Sequence, residues 1–134
     1  MKIFLCVDDD GGLLFNNRRQ SRDKKVIEKV LDIVGESKLW VTEFSQALFD
    51  EGTVCIDSEM LQQAAEEEFC FVENLKLAPY LDKISEIYLF KWNRKYPSDT
   101  KMDICIEDNY KCVSCEEFEG NSHERITLEV WANA

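Results

Sequence analysis

Arg18-Arg19-Gln20-Ser21-Arg22-Asp23 is the segment whose residue types most readily do chemistry. Guanidinium forks, an amide and a carboxylate stand there between a turn and a helical period, a set suited to a small anionic or amide-bearing ligand. Asp23 reads either as a functional carboxylate or as a charge that only stabilises the first helical turn. A solvated helix entrance would also account for the cluster. His123 is the sole histidine, and its ordinary pKa makes it the side chain ready to move a proton near neutrality. Ser122-His123-Glu124 has the residue types of a triad, but neighbours in an extended chain alternate sides and cannot relay a proton. Asp23 and His123 are therefore the catalytic candidates. A partner for His123 must come from elsewhere, and without one it is a surface or loop histidine.

Cys112-Val113-Ser114-Cys115 has the spacing of a zinc knuckle or a redox pair. A redox pair needs a helix N-terminus under its first thiol, and a zinc site needs a second ligand pair. On a regular strand, residues three apart point to opposite faces, so the two thiols diverge. Cys105 and His123 would complete a conceivable four-ligand set, but the favoured reading assigns no metal. All six cysteines, several of them inside apolar runs, read as small buried hydrophobes.

The elements that position these residues follow from the hydrophobic pattern. With 134 residues, the chain is expected to form one domain over 1–134 with a sizeable core. Ile3 to Val7 is a continuous apolar run, as in a strand buried on both faces of a parallel sheet. Ser21 reads as an N-cap for a helix whose Val26, Ile27, Val30, Leu31 and Val34 share one face, stopped by Gly35. Strands then follow at 39–41, 53–56, 69–72 and 87–90. Between them lie short helices from Ser45 and Ser58 and a Pro79-distorted segment, an alternation that argues for parallel crossovers. Tyr110 to Ser114 and Ile126 to Trp131 have no helix between them and should be antiparallel. The fold class is thus α/β, three-layered, with a mainly parallel central sheet and an antiparallel C-terminal hairpin. The polar, aromatic connection around Trp92, Asn93, Arg94, Tyr96 and Thr100 is long enough to suggest function.

A formal net charge of -11 opposes long-range attraction to nucleic acid and anionic membranes. No apolar stretch approaches the roughly 18 residues a membrane span needs, and the first strand is too short for a signal segment. A cytoplasmic location is expected, with a small-molecule ligand or a protein partner and no nucleic acid or membrane partner.

This order of elements resembles dihydrofolate reductase. Ile3 to Asp8 followed by Gly12-Leu13-Leu14 looks like that family's first strand and turn. Asp23 sits where the family's carboxylate meets the pterin ring. Leu39 to Ser45, Phe71-Val72-Glu73-Asn74, Pro79 to Ile84, Ile87-Tyr88-Leu89, Asp99-Thr100 and Tyr110 to Ser114 are similar to later segments in order. The resemblance implies a pocket between Asn17 to Asp23 and the Trp92 to Thr100 connection. Arg18, Arg19, Gln20 and Arg22 would line one wall, and Asn93, Arg94, Tyr96 and Thr100 the other. The departures are as informative. Glu73-Asn74 replaces a Gly-Gly pair that lets backbone approach a pyrophosphate, and Glu43 stands where an Arg meets cofactor phosphate. The chain is also short between Phe49 and Thr53, beside the adenosine half of the cofactor. No cofactor is therefore expected. The Phe15 to Ser21 and Ser122 to Glu124 segments are also similar to short bacterial proteins labelled ribonuclease Z. That enzyme resembles metallo-β-lactamases and needs a His-rich two-metal signature, which one histidine cannot supply.

Two function classes remain from the sequence. One is a binding or interaction module on a reductase-like scaffold without hydride transfer. The other is a small enzyme using Asp23, His123 and the arginines on an anionic or nucleotide-like substrate. An NADPH-dependent reductase is the disfavoured third.

Overall fold

The computed structural model describes residues 1–133. In chain order its strands are β1 (Lys2–Val7), β2 (Gly12–Phe15), β3 (Arg18–Arg19), β4 (Leu39–Val41), β5 (Cys55–Ile56), β6 (Phe69–Phe71), β7 (Glu86–Lys91), β8 (Thr100–Lys101), β9 (Tyr110–Phe118) and β10 (Ile126–Asn133). Its α-helices are α1 (Lys24–Val34), α2 (Glu43–Gln46), α3 (Met60–Gln63) and α4 (Ile106–Asn109), and a 3₁₀ helix spans Ala78–Lys83. No helix among the described residues is long and apolar enough to cross a membrane.

Seven strands form one sheet in the order β5-β4-β6-β1-β7-β10-β9. β1 lies fourth, pairing in parallel with β6 and β7, while β10 runs antiparallel to both β7 and β9. The two sides of β1 feed separate cores. Ile3, Leu5 and Val7 pack with Met60, Leu61, Leu77, Ile84 and Ile106 on one face. Phe4 packs with Phe69, Phe71, Phe90 and the α1 valines Val26, Val30 and Val34 on the other. That double burial is why the first strand is apolar without alternation.

The structure corrects several expectations. Asp23, not Ser21, caps α1: its backbone is extended and its carboxylate accepts the Lys25 N–H. Glu59 rather than Ser58 precedes α3. The polar stretch after Phe15 is a hairpin, with Asn16 and Asn17 both at positive φ, where asparagine is tolerated. β2 also pairs with β8, giving a second, three-stranded antiparallel sheet. Among the cysteines only Cys70 is fully buried, whereas Cys105, Cys112 and Cys115 are exposed.

The divergence expected of Cys112 and Cys115 is overturned by a β-bulge. Cys115 pairs with Glu129 and Cys112 with Trp131, leaving Val113 unmatched. Glu129 and Trp131 are two apart and share a face, so the extra residue brings both thiols to that face. No cluster of three or more His, Cys, Asp or Glu side chains suited to a metal ion occurs among the described residues.

Candidate active site

His123 lies in the loop between β9 and β10, in line with the loop half of the surface-or-loop reading, but it is buried rather than at the surface, with a side chain 2% exposed. The bends after β9 carry it under the Asp23 end of α1, and Nδ1 stands 2.9 Å from Asp23 Oδ2, a partner 100 residues away. On the other side of the ring, Nε2 lies 3.1 Å from Ser21 Oγ and 2.9 Å from the Tyr96 hydroxyl. Trp92, buried at the end of β7, stacks on the imidazole with centroids 4.6 Å apart. Ser21, His123 and Asp23 thus form a hydrogen-bonded file of a hydroxyl, an imidazole and a carboxylate, the order of groups in a serine triad.

Asp23 is fully engaged by the protein itself. Oδ1 accepts the backbone N–H groups of Lys25 and Asn121, while Oδ2 accepts the N–H and hydroxyl of Ser122 beside the His123 contact. Burial alone would raise its pKa, but these donors, led by Asn121 and His123, hold the carboxyl well below the usual range. An ionised Asp23 on Nδ1 fixes that nitrogen as the donor, so that in the neutral ring Nε2 is the acceptor. Nε2 has one lone pair and two hydroxyls beside it. When Ser21 donates to it, Tyr96 can donate to Ser21 Oγ, 3.4 Å away.

The close approach depends on Gly120. A Cβ there would lie 2.7 Å from the His123 carbonyl and 2.8 Å from Asp23 Oδ2. Asp8, buried at the end of β1, ties the other segments together: its carboxylate accepts the N–H groups of Asp10, Gly12 and Tyr96 and the Gln20 amide. Burial opposes ionisation of Asp8, yet these donors lower its pKa. Sequence reasoning missed Ser21 as a hydroxyl partner, Gly120 as a spacer and Asp8 as an organiser. The aspartate preceding a glycine-containing turn was the one available signal for the last.

The remaining candidates separate into groups. Arg18, Arg19, Gln20 and Tyr96 line one groove of 500 Å³ with Phe15, Asn16 and Pro97. Arg19 is committed to Glu73, its Nε and Nη2 each 2.8 Å from a carboxylate oxygen, with Ser45 Oγ donating to the same group at 2.7 Å. Gln20 donates to Asp8 and to the Pro97 carbonyl, and its Oε1 is buried without a partner. Arg22 lies across Asp23 in a separate 700 Å³ cleft with Ile27, Leu31 and Leu48. Asn93, at positive φ, donates to Thr127 Oγ1 and the Arg125 carbonyl and so anchors the start of β10. Arg94 is exposed, and its carbonyl receives the Asp9 N–H. Thr100 belongs to β8, opposite Leu14, where its hydroxyl is 3.5 Å from Asp99.

No protein-family model matches the sequence, and no curated protein matches it either. Among solved structures, 252 chains match. One is the dihydrofolate reductase from Enterococcus faecalis complexed with NADP(H) and RAB-propyl, at TM-score 0.69 and 9% identity, covering 98% of this chain and 95% of that one. Such identity carries the architecture and nothing beyond it: this chain has the dihydrofolate reductase fold.

Proposed function

We propose that the chain is a small serine-dependent acyl hydrolase or acyl transferase built on this scaffold. The observation that carries the reading is the Ser21–His123–Asp23 file, with its buried imidazole held between a carboxylate and a hydroxyl. Ser21 Oγ attacks a substrate carbonyl while His123 Nε2 takes its proton, and ionised Asp23 stabilises the imidazolium. The imidazolium then protonates the leaving group, giving acyl-Ser21, which water cleaves by the same proton path in reverse. The Tyr96 hydroxyl, beside both Ser21 Oγ and His123 Nε2, would help orient the attacking oxygen.

A fluorophosphonate probe tests this directly, because it phosphonylates an activated serine oxygen and releases fluoride. Intact-mass analysis should show one adduct, mapped to Ser21, that is absent in a folded Ser21→Ala variant. Labelling of another residue, or none, would return the protein to the binding-module class.

Hydride chemistry is not part of this reading. Glu73 stands with Asn74 after β6, its carboxylate closed on Arg19 and Ser45, and Asn74 is bonded by the Thr42 hydroxyl. A dinucleotide phosphate would meet anionic bulk there instead of open N–H groups. Calorimetric titration of NADPH or NADH should give no saturable binding below millimolar concentration. A micromolar dissociation constant would overturn that expectation.

A further inference from the structure

We propose that Cys112 and Cys115 form a two-thiolate site for a single copper(I) ion on the outer strand of the large sheet. A regular strand would turn these thiols to opposite faces, and the bulge at Val113 puts them on one. Both are free and exposed. The Cys112 thiol also leans along the strand toward its partner. Its Sγ lies 3.4 Å from the Ser114 carbonyl oxygen, which belongs to the peptide that leads into Cys115. Spacing decides what the pair can hold. Trp131 and Glu129, opposite the two cysteines, are two residues apart on β10, so the cysteine Cα atoms stand roughly 7 Å apart. That is the far limit for a disulfide, whose sulfurs must close to about 2 Å. One ion with two metal–sulfur bonds of about 2.3 Å bridges sulfurs up to roughly 4.6 Å apart, a gap that side chains leaning together over this span can reach.

The number of donors selects the ion. Glu129, facing Cys115, is already held by Lys91 Nζ and by the Trp131 indole N–H. Glu117, next on that face, is held by Arg125. Cys105 donates its thiol to Glu107, and His123 is engaged by Asp23, Ser21 and Tyr96. No cluster of three His, Cys, Asp or Glu side chains suited to a metal occurs among the described residues, so the pair stands without a third protein ligand. A structural zinc(II) site takes four such ligands. Copper(I) is a soft d10 ion satisfied by two thiolates in line, and its softness matches it to sulfur. Binding is a proton exchange. Two thiols release two protons to water as two Cu–S bonds form, leaving a singly negative complex with no change in oxidation state.

Anaerobic titration of the fully reduced protein with copper(I), in competition with the chromophoric chelator bicinchoninate, measures the affinity. Native mass spectrometry should count one copper per polypeptide chain, and copper K-edge absorption should show two sulfur neighbours. Cys112→Ser and Cys115→Ser should each weaken binding by about 10²-fold or more, the scale on which a second tethered donor counts. Cys105→Ser should leave it unchanged. The most discriminating variant combines Cys115→Ser with Ser114→Cys. It keeps the number of thiols and shortens their separation in sequence, but turns the second one to the opposite face, alongside Val130. That variant should bind no better than either single serine variant. All four positions are exposed, and circular dichroism verifies that each variant is folded. Wild-type affinity in the moved pair, a loss in Cys105→Ser, one copper shared by two chains, or no binding in competition with the chelator would overturn the inference.

Discussion

Asp23→Asn is expected to lower kcat/KM at the Ser21 centre by about 10⁴, the scale seen when a triad carboxylate is replaced by its amide. An amide nitrogen facing His123 Nδ1 would favour the tautomer that carries its proton on Nε2, leaving Ser21 without a base. The same change should cost about 3 kcal/mol or more of stability, because a buried group is left with mismatched donors. Those donors come from Lys25 in α1 and from Asn121, Ser122 and His123 in the β9–β10 connection, so the carboxylate ties a helix start to a distant loop. The pH dependence has a definite sign. The folded-state pKa of Asp23 is depressed, so its contribution is fully present above its unfolded value near about 4 and is lost as pH falls toward the folded value. Urea unfolding at pH 7 and pH 3 should show the wild-type advantage over Asp23→Asn shrinking in acid. Equal stabilities at pH 7, or a gap that widens in acid, would contradict the assignment.

Glu73→Gln should destabilise the protein by about 3 kcal/mol, leaving Arg19 as a partly buried cation without its carboxylate. The Arg19 and Glu73 side chains are 19% and 11% exposed, and Arg19 also donates to the Phe44 carbonyl, so the guanidinium has little freedom to turn to water. Replacing both with apolar residues of similar volume, as in Arg19→Met with Glu73→Leu, should cost much less than the sum of the single changes. A double-mutant cycle by chemical denaturation measures the coupling. Additive losses would show that the hairpin is held by other contacts. The pair matters to the site because β3 leads directly into Ser21.

The scaffold was legible in the sequence because its signals are local and repeated. The unbroken apolar run of β1, the α1 valines on one face and the lack of a helix between β9 and β10 each specify an element and its neighbours. Asp23 and His123 were visible as residue types, and Tyr96 as part of a suspicious connection. Their assembly was not visible, since a hydrogen bond spanning 100 residues leaves no periodic trace. Ser21 was hidden by its suitability as a helix cap. Asp23, two residues later, took that role and left the hydroxyl free to face the imidazole. The second small sheet that includes Thr100 was not expected, because two-residue strands announce themselves too weakly to be read.

The bulge at Val113 has a consequence for how the molecule behaves among its own copies. β9 is the outer strand of the large sheet and runs for nine residues, almost all exposed. A flat edge of that length would present a ladder of unpaired amides and carbonyls to any passing strand, with Val113 as an apolar foothold 60% exposed. The unmatched residue instead bends and twists the edge partway along, and exposed Lys111, Glu116 and Glu117 flank it with charge. The open margin of the sheet is thereby shielded against sheet-to-sheet aggregation.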